Sequence, residues 1–127
     1  MREGSKMIKG TFKREEDGSL ISFEVSGHST AGPFGSDIVC AAVSALTFNT
    51  VNSIEALAGF TPILDIDHEA LGYLYFETIA DITQEQSNIA QILLESLLLG
   101  LQSIQTEHSE FMTIKTVTKN RGGATQC

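Results

Sequence analysis

Two stretches near the start of the chain, Met7–Arg14 (MIKGTFKR) and Leu20–Gly27 (LISFEVSG), decide the fold. In each of them apolar and polar residues alternate, which is typical of a strand with one buried face. The pair Asp17-Gly18 stands between them, and Asp-Gly is a strong signal for a tight hairpin turn. The sequence therefore predicts a fold that begins with two paired antiparallel strands.

Helical and strand patterns alternate along the rest of the chain. Apolar residues at helical spacing predict one helix over Asp37–Ala58, ended by Gly59, and a longer one over Gln84–Thr106. Runs of β-forming residues predict three further strands, which are Ile63–Asp67, Leu71–Ile79 after a turn at residues 68–70, and Phe111–Val117. The order ββαββαβ favours an α+β two-layer sandwich, with two helices packed on one face of a mainly antiparallel sheet.

The two helices differ in how much of their surface is apolar. The predicted buried stripe of the first helix consists of Val39, Val43, Leu46, Thr50, Ile54 and Leu57. The second helix carries a stripe of Ile89, Ile92, Leu93, Leu97, Leu101 and Ile104, widened beyond one amphipathic face by Leu94, Leu98 and Leu99. Either this helix is deeply buried or its second face meets a partner chain, and the small size of the domain favours the partner.

The length of 127 residues corresponds to one domain, which we place at residues 7–119. Residues 1–6 precede a second methionine and are interpreted as a tag or an alternative start, and residues 120–127 as a polar tail.

Two cysteines, Cys40 and Cys127, do not suggest a disulfide framework. We identify neither a signal peptide nor an apolar run of the roughly 20 residues that a membrane span needs. These features predict a cytoplasmic protein.

The charges are distributed unevenly along the chain. The net charge is −8, and the 100 residues from Glu15 to Ile114 contain 15 acidic residues and no Lys or Arg. Nucleic acids, anionic membranes and phosphate groups are bound by clustered basic residues, so we expect no direct nucleic-acid or membrane partner. A basic protein partner is compatible with this composition, although an acidic surface that promotes solubility is the simpler interpretation.

The stretch Gly27–Leu46 carries the candidate chemistry. His28 follows the second strand, Cys40 lies in the first turn of the predicted helix, and the eight residues Ser29–Ser36 join them. This loop spans up to roughly 26 Å when extended, so it can fold back and bring His28 to Cys40. A cysteine near a helix N-terminus has its thiolate stabilised by free N–H groups and by the helix dipole. A histidine within reach can accept the thiol proton, and the same N–H groups could bind an oxyanion.

Each of these residues also has a structural interpretation. Cys40 could be an inert core residue, His28 could be bonded to the backbone, and Asp37 could orient the imidazole or only cap the helix. His68 and His108 stand in acidic, turn-like contexts, which predict surface positions. A metal held by His28, Asp37 and Cys40 is a weaker hypothesis, because the sequence lacks Cys-x-x-Cys and paired-histidine spacings. We expect neither a metal nor another cofactor.

The sequence from Gly27-His28 through a Gly-containing loop to GSDIVCAAVSAL (residues 35–46) resembles the signature of the ribosomal-processing cysteine proteases, Prp. The similarity extends from Met7 to about Thr118, and this block is its specific part. The resemblance implies a bacterial endopeptidase that removes an N-terminal extension from a large-subunit ribosomal protein. It also implies roles for three residues: Cys40 as nucleophile, His28 as general base, and Asp37 as the supporting acidic residue of the motif.

The resemblance further implies a homodimer, which we expect to form through the second helix, and a mobile loop that orders around the substrate. The loop residues assigned to substrate binding are Ser29, Gly32, Pro33, Phe34, Gly35 and Ser36. The sequence departs from the family pattern here, because Ser29-Thr30 follows Gly-His where alanine is common. Loop mobility and substrate fit are the properties that this departure affects.

Two other functions remain open on the sequence alone. The first is a non-catalytic, dimeric ribosome-assembly adaptor, in which the acidic surface binds a basic ribosomal protein and the cysteine is structural. The second is a different thiol chemistry, such as acyl transfer or redox sensing, which would share the reactive Cys40 with the protease.

Overall fold

The predicted hairpin forms the centre of a five-stranded sheet. The structure is a computed structural model that describes residues 7–27, 36–67 and 72–119, with the backbone alone at residues 36 and 37. The segments 1–6 and 120–127 and the turn at 68–70 therefore lie outside the described residues. Strand β1 (Ile8–Arg14) pairs antiparallel with β2 (Leu20–Ser26).

The other three strands extend the sheet on both sides of the hairpin. They are β3 (Ile63–Asp67), β4 (Tyr73–Glu77) and β5 (Met112–Thr118). Strands β3 and β4 pair antiparallel with each other, and β4 pairs antiparallel with β2. Strand β5 pairs parallel with β1, which gives the order β3-β4-β2-β1-β5. The α+β architecture, the order ββαββαβ and a mainly antiparallel sheet are therefore confirmed.

Two helices cover the sheet. Helix α1 (Ser36–Ser53) continues into a single π-helical turn, Ile54–Ala58, and ends at Gly59 in a left-handed conformation. Helix α2 (Gln84–Glu107) begins with a capping box, in which the Thr83 hydroxyl accepts from the Gln86 backbone N–H and the Gln86 side chain accepts from the Thr83 N–H. Such a box satisfies two N–H groups that a helix start leaves unpaired.

The core lies between the helices and one face of the sheet. Three phenylalanines in register on β1, β2 and β4 form a stacked column at its centre, with ring centroids 5.2 Å apart for Phe12 and Phe23 and 5.0 Å apart for Phe23 and Phe76. The two helices approach closely, since a β-carbon on Gly100 would lie 3.1 Å from Leu46 Cδ1. Glycine at this position lets α2 pack directly against α1.

The π-helical turn changes which residue of the first helix is buried. The Gly59 N–H donates to the Ile54 carbonyl, five residues back, and this bond widens the last turn. Leu57, predicted to belong to the buried stripe, is 64% exposed, whereas Ala58 is buried. The assignment of Leu57 was wrong because a 3.6-residue period does not account for the extra residue in the turn.

The buried face of α2 is also rotated from the predicted stripe. The residues buried on this helix are Ala90, Leu94, Leu97, Leu98 and Leu101. Leu94 and Leu98, which the sequence assigned to the widened part of the stripe, therefore belong to the domain core. Ile92, a member of the predicted stripe, is 70% exposed, and Leu99, which widens it, is 65% exposed.

The first helix meets the criteria for a membrane span, although no such apolar run was predicted from the sequence. By length and composition Ile38–Ala58, with a mean hydropathy of 1.3, could cross a membrane. The same segment supplies Val39, Val43, Val51 and Ile54 to the domain core. A core helix meets the same criteria as a spanning helix, so this segment is weak evidence for a membrane span.

Candidate active site

The candidate site lies at the end of the sheet where β2 finishes. The register places Ser26 beside Lys9 on β1 and beside Tyr73 on β4. Strand β2 therefore finishes at the end of the sheet where β1 and β4 begin. Helix α1 also begins here, because the Cys40 Sγ lies 3.8 Å from the Gly27 carbonyl oxygen, to which the thiol donates. The candidate nucleophile therefore contacts the residue that immediately precedes His28.

Gly27 has a conformation that few other residues adopt. Its φ is +83°, in the left-handed region where a side chain is unfavourable. Its N–H donates to the Gly72 carbonyl at 2.9 Å, and a β-carbon on Gly27 would lie 2.7 Å from the Met7 carbonyl oxygen. Both the torsion angle and the close approach of β1 require glycine at this position.

Cys40 lies one residue further along the helix than the sequence predicted. It is the fifth residue of α1, so it begins the second turn rather than lying in the first. Side chains on a helix are directed toward its N-terminus, which brings the sulfur back toward the first turn and its free N–H groups. The residue is 3% exposed and belongs to the core cluster with Val39 and Val43. Burial alone fits an inert core cysteine as well as a shielded nucleophile.

Several predicted site residues lie outside the described part of the chain. They are His28, Ser29, Gly32, Pro33, Phe34 and Gly35, and among the other histidines His68. Contact between His28 and Cys40 therefore stays a prediction. Ser36 and Asp37 are the first two residues of α1. His108, predicted to be a surface residue, is half-buried and ends α2, and its N–H donates to the Ile104 carbonyl at 2.9 Å.

The described basic side chains are directed away from Cys40. Lys9, Lys13 and Lys115 are exposed, and they alternate with the buried residues of β1 and β5, so they project from the face of the sheet opposite to the helices. Arg14 lies at the far end of β1 and donates to both Glu95 carboxylate oxygens, at 2.5 and 3.1 Å. Backbone N–H groups at the start of α1 are therefore the candidate donors to a charged sulfur among the described residues.

The face of the sheet opposite to the helices is polar. Its β2 and β4 side carries two tyrosine–carboxylate hydrogen bonds of 2.7 Å, from Tyr73 to Glu24 and from Tyr75 to Glu77. The bond to Glu24 raises the pKa of Tyr73 to about 12, because the carboxylate accepts from the protonated phenol. These carboxylates therefore have neutral partners, and the basic side chains of this face lie toward β1 and β5.

A shallow groove opens beside the site, between the start of α1 and the end of α2. Its volume is about 210 Å³, and it is lined by Ile38, Val39, Ala42, Ser103, Ile104, Glu107 and His108. Among the described residues, no group of three His, Cys, Asp or Glu side chains could hold a metal ion. The described part of the site is thus a cysteine, a glycine backbone and a mostly apolar groove.

Comparison with known proteins identifies the class. A family model described as Cysteine protease Prp matches residues 7–113. The ribosomal processing cysteine protease Prp of Bacillus subtilis is 37% identical over 110 residues, which cover 87% of this chain and 97% of that protein. Its counterpart in Staphylococcus aureus is 32% identical over 104 residues, 82% of this chain and 93% of that protein.

Solved structures agree with this result. SMU.848 from Streptococcus mutans has a TM-score of 0.81 and 41% identity, with 89% of this chain and 96% of that one covered. The S. aureus protease Prp in complex with a substrate peptide has a TM-score of 0.71 and 27% identity, with 87% and 99% covered. Fold and sequence thus define a cysteine protease. The chain belongs to the Prp family.

Two glycines of the site have a backbone role that the sequence pattern did not predict. Gly27 was predicted as the end of a strand and as part of the Gly27-His28 motif, and Gly72 as part of the following strand, yet the hydrogen bond between them closes this end of the sheet. Both have positive φ, +83° and +74°. The signal that could have revealed them is a glycine at the boundary of an alternating pattern, where a strand must change direction.

Proposed function

We propose that this protein is a cytoplasmic thiol endopeptidase that removes the N-terminal extension of a large-subunit ribosomal protein. Cys40 is the nucleophile, His28 is the general base, and Asp37 supports them. The observation that carries this assignment is the 3.8 Å contact between the Cys40 Sγ and the Gly27 carbonyl oxygen. Because His28 is the next residue in the chain, this contact supports His28 as the base that takes the proton from the sulfur.

The chemistry follows from these positions. His28 takes the thiol proton, and the Cys40 sulfur attacks the scissile carbonyl carbon to form a tetrahedral intermediate. The C–N bond then breaks, and the imidazolium gives its proton to the leaving amine. Water, deprotonated by His28, hydrolyses the thioester and regenerates the thiol. We assign stabilisation of the oxyanion to backbone N–H groups at the start of α1, since the described Lys and Arg side chains project elsewhere.

The charge of the protein supports a basic substrate. The chain carries a net charge of −8, and ribosomal proteins are mostly basic, so attraction between opposite charges favours their encounter. Substrate binding is assigned to the loop with Ser29, Gly32, Pro33, Phe34, Gly35 and Ser36. The proposed activity requires no metal, other cofactor, nucleic acid or membrane.

Variants at the cysteine test the assignment. Cys40→Ser and Cys40→Ala are incubated with the ribosomal protein carrying its extension, and the product mass is followed by mass spectrometry. Both variants should lose cleavage, while the matched control Cys127→Ser should cleave at the wild-type rate. Unchanged cleavage by Cys40→Ala would show that another residue is the nucleophile.

Alkylation separates the protease from a non-catalytic adaptor. A catalytic Cys40 should react with iodoacetamide well below pH 8, and faster than Cys127 in the same chain. Equal and slow labelling of both cysteines would instead support an adaptor that binds a basic ribosomal protein. A reactive Cys40 with no cleavage would support another thiol chemistry, acyl transfer or redox sensing.

We also propose a homodimer formed through α2. Ile92 and Leu99 support it, because they lie seven residues apart on one face of the helix and are 70% and 65% exposed. The variant with both Ile92→Glu and Leu99→Glu should be monomeric by sedimentation velocity. Val117→Glu, an exposed apolar residue on β5, should leave the dimer intact. A wild-type chain that sediments as a monomer at micromolar concentration would exclude this interface.

A further inference from the structure

We propose that Gly27 is a positioning residue for the reaction: its carbonyl oxygen holds the Cys40 thiol, and its left-handed conformation directs the chain into residue 28. This inference rests on the proposed function, in which Cys40 is the nucleophile and His28 the base. The two candidate reacting residues are thereby joined through a single peptide unit, the one between Gly27 and His28.

Three restraints fix the Gly27 backbone. Its N–H donates to the Gly72 carbonyl at 2.9 Å, which ties the end of β2 to the residue before β4. Its φ of +83° turns the chain out of the strand. The α-carbon is packed against β1, because a β-carbon there would lie 2.7 Å from the Met7 carbonyl oxygen and 3.3 Å from the Ile8 Cα. These neighbours are backbone atoms, so they cannot give way as the end of a side chain can.

The restrained carbonyl acts on the sulfur. The Cys40 thiol donates to it at 3.8 Å, so this contact is made by the protonated form of the side chain. The contact fixes the direction of the Cβ–Sγ bond toward the end of β2, where the chain continues into His28. Displacement of the Gly27 peptide would therefore move the carbonyl away from the sulfur. It would also shift the backbone to which His28, the proposed base, is attached.

Two other glycines provide matched controls. Gly18 has a φ of +94° with no atom within 4 Å of its β-carbon position. Gly59 has a φ of +81°, and its nearest neighbour is the flexible end of Gln86, 3.8 Å away. An alanine at either control is also held at a positive φ, as an alanine at Gly27 would be. It lacks both the clash with backbone atoms and the contact with the cysteine.

The kinetic test compares Gly27→Ala with Gly18→Ala and Gly59→Ala on a peptide that spans the cleavage site of the extension. Rates are expressed per folded molecule, with the folded fraction taken from thermal unfolding followed by circular dichroism. We expect kcat of Gly27→Ala to fall about 10²-fold, the size of effect that a displacement of 1 Å can have on a reaction. KM should stay within twofold, and both controls should keep the wild-type kcat. A kcat loss at Gly27 no larger than at Gly18 would overturn the inference.

A second readout does not depend on proteolysis. Iodoacetamide labelling of Cys40 is measured in the Cys127→Ser background, where one thiol remains. Gly27→Ala should change the rate constant at least threefold because the thiol loses its restrained acceptor, whereas Gly18→Ala should leave it unchanged. An unchanged labelling rate in Gly27→Ala would contradict the proposed contact. This readout does not depend on the catalytic roles, so it remains a test of the contact even if Cys40→Ala cleaves normally.

A variant at the other end of the hydrogen bond covers the case in which Gly27→Ala does not fold. Gly72→Ala perturbs the residue whose carbonyl accepts the Gly27 N–H, without placing a β-carbon on Gly27. It should lower kcat in the same direction and to a smaller extent, again with KM within twofold. Wild-type kcat and labelling in this variant would refute the positioning role of the Gly27 backbone.

Discussion

The phenylalanine column should contribute strongly to the stability of the fold. Phe23, 1% exposed, lies between Phe12 and Phe76, and both ring pairs are nearly parallel, with interplanar angles of 21° and 11°. A stacked aromatic pair contributes about 0.5–1.5 kcal/mol beyond the buried area. Phe23→Leu keeps an apolar side chain but loses both pairs, so the free energy of unfolding should fall by roughly 1–3 kcal/mol more than for an ordinary buried Phe→Leu change.

The control is Phe60→Leu, a buried phenylalanine outside the column. Urea unfolding of both variants, followed by circular dichroism, gives the two changes in free energy. A double-mutant cycle with Phe23→Leu and Phe76→Leu should give a coupling of about 0.5–1.5 kcal/mol. Equal losses for Phe23→Leu and Phe60→Leu, or a coupling near zero, would refute the argument. Cleavage per folded molecule should be unchanged, because the stacked rings that the substitution removes involve neither Gly27 nor Cys40.

Three further predictions concern other features of the molecule. The hydrogen bonds from Arg14 lower the pKa of Glu95, so this pair stabilises the fold above the unfolded pKa of the carboxyl and loses its effect as the pH falls through the folded pKa. Because Glu95 is 42% exposed, solvent screening limits its contribution, and Glu95→Gln should cost about 0.5 kcal/mol at pH 7 and nothing near pH 2 by thermal unfolding. Thr83→Ala removes half of the capping box and should cost about 1 kcal/mol, whereas Thr106→Ala in the same helix should cost less. Cleavage of the ribosomal protein should slow as salt rises from about 50 to 500 mM, because salt screens attraction between opposite charges, and a salt-independent rate would contradict charge-assisted binding.

The elements of the fold could be predicted from sequence because their signals are local. Alternation marks β1 and β2, and the Asp-Gly turn between them sets their pairing. The rotation of α2 could not be predicted in the same way. Apolar residues occupy more than one face of that helix, so its sequence does not determine which of them face the sheet. Ile92, which belongs to the predicted stripe, is exposed. Packing against α1, permitted by Gly100, determines the rotation.

The candidate site rests on residue types that the sequence indicated and on geometry that it did not. A histidine after a strand and a cysteine near a helix start suggested the chemistry, and contact between those two residues stays a prediction. The contact of Cys40 with the Gly27 carbonyl was not predicted. The position of Cys40 within the helix and the backbone role of Gly27 depend on where α1 begins and on how β1 packs. Both are set by tertiary contacts that a local pattern does not contain.

The parallel pairing of β1 with β5 has a consequence for how the protein folds. Ile8 is aligned with Met112, so the first strand gains its second neighbour only from a segment about a hundred residues later, and such distant pairings are slow to form. The hairpin and α1 can meet before β5 is in place, but the edge of β1 stays open until then. A ribosome-bound chain stalled before residue 112 should expose that edge and be cut by added trypsin within β1, after Lys9, Lys13 or Arg14. Release of the full-length chain should protect these sites, which makes completion of the sheet one of the last events in synthesis.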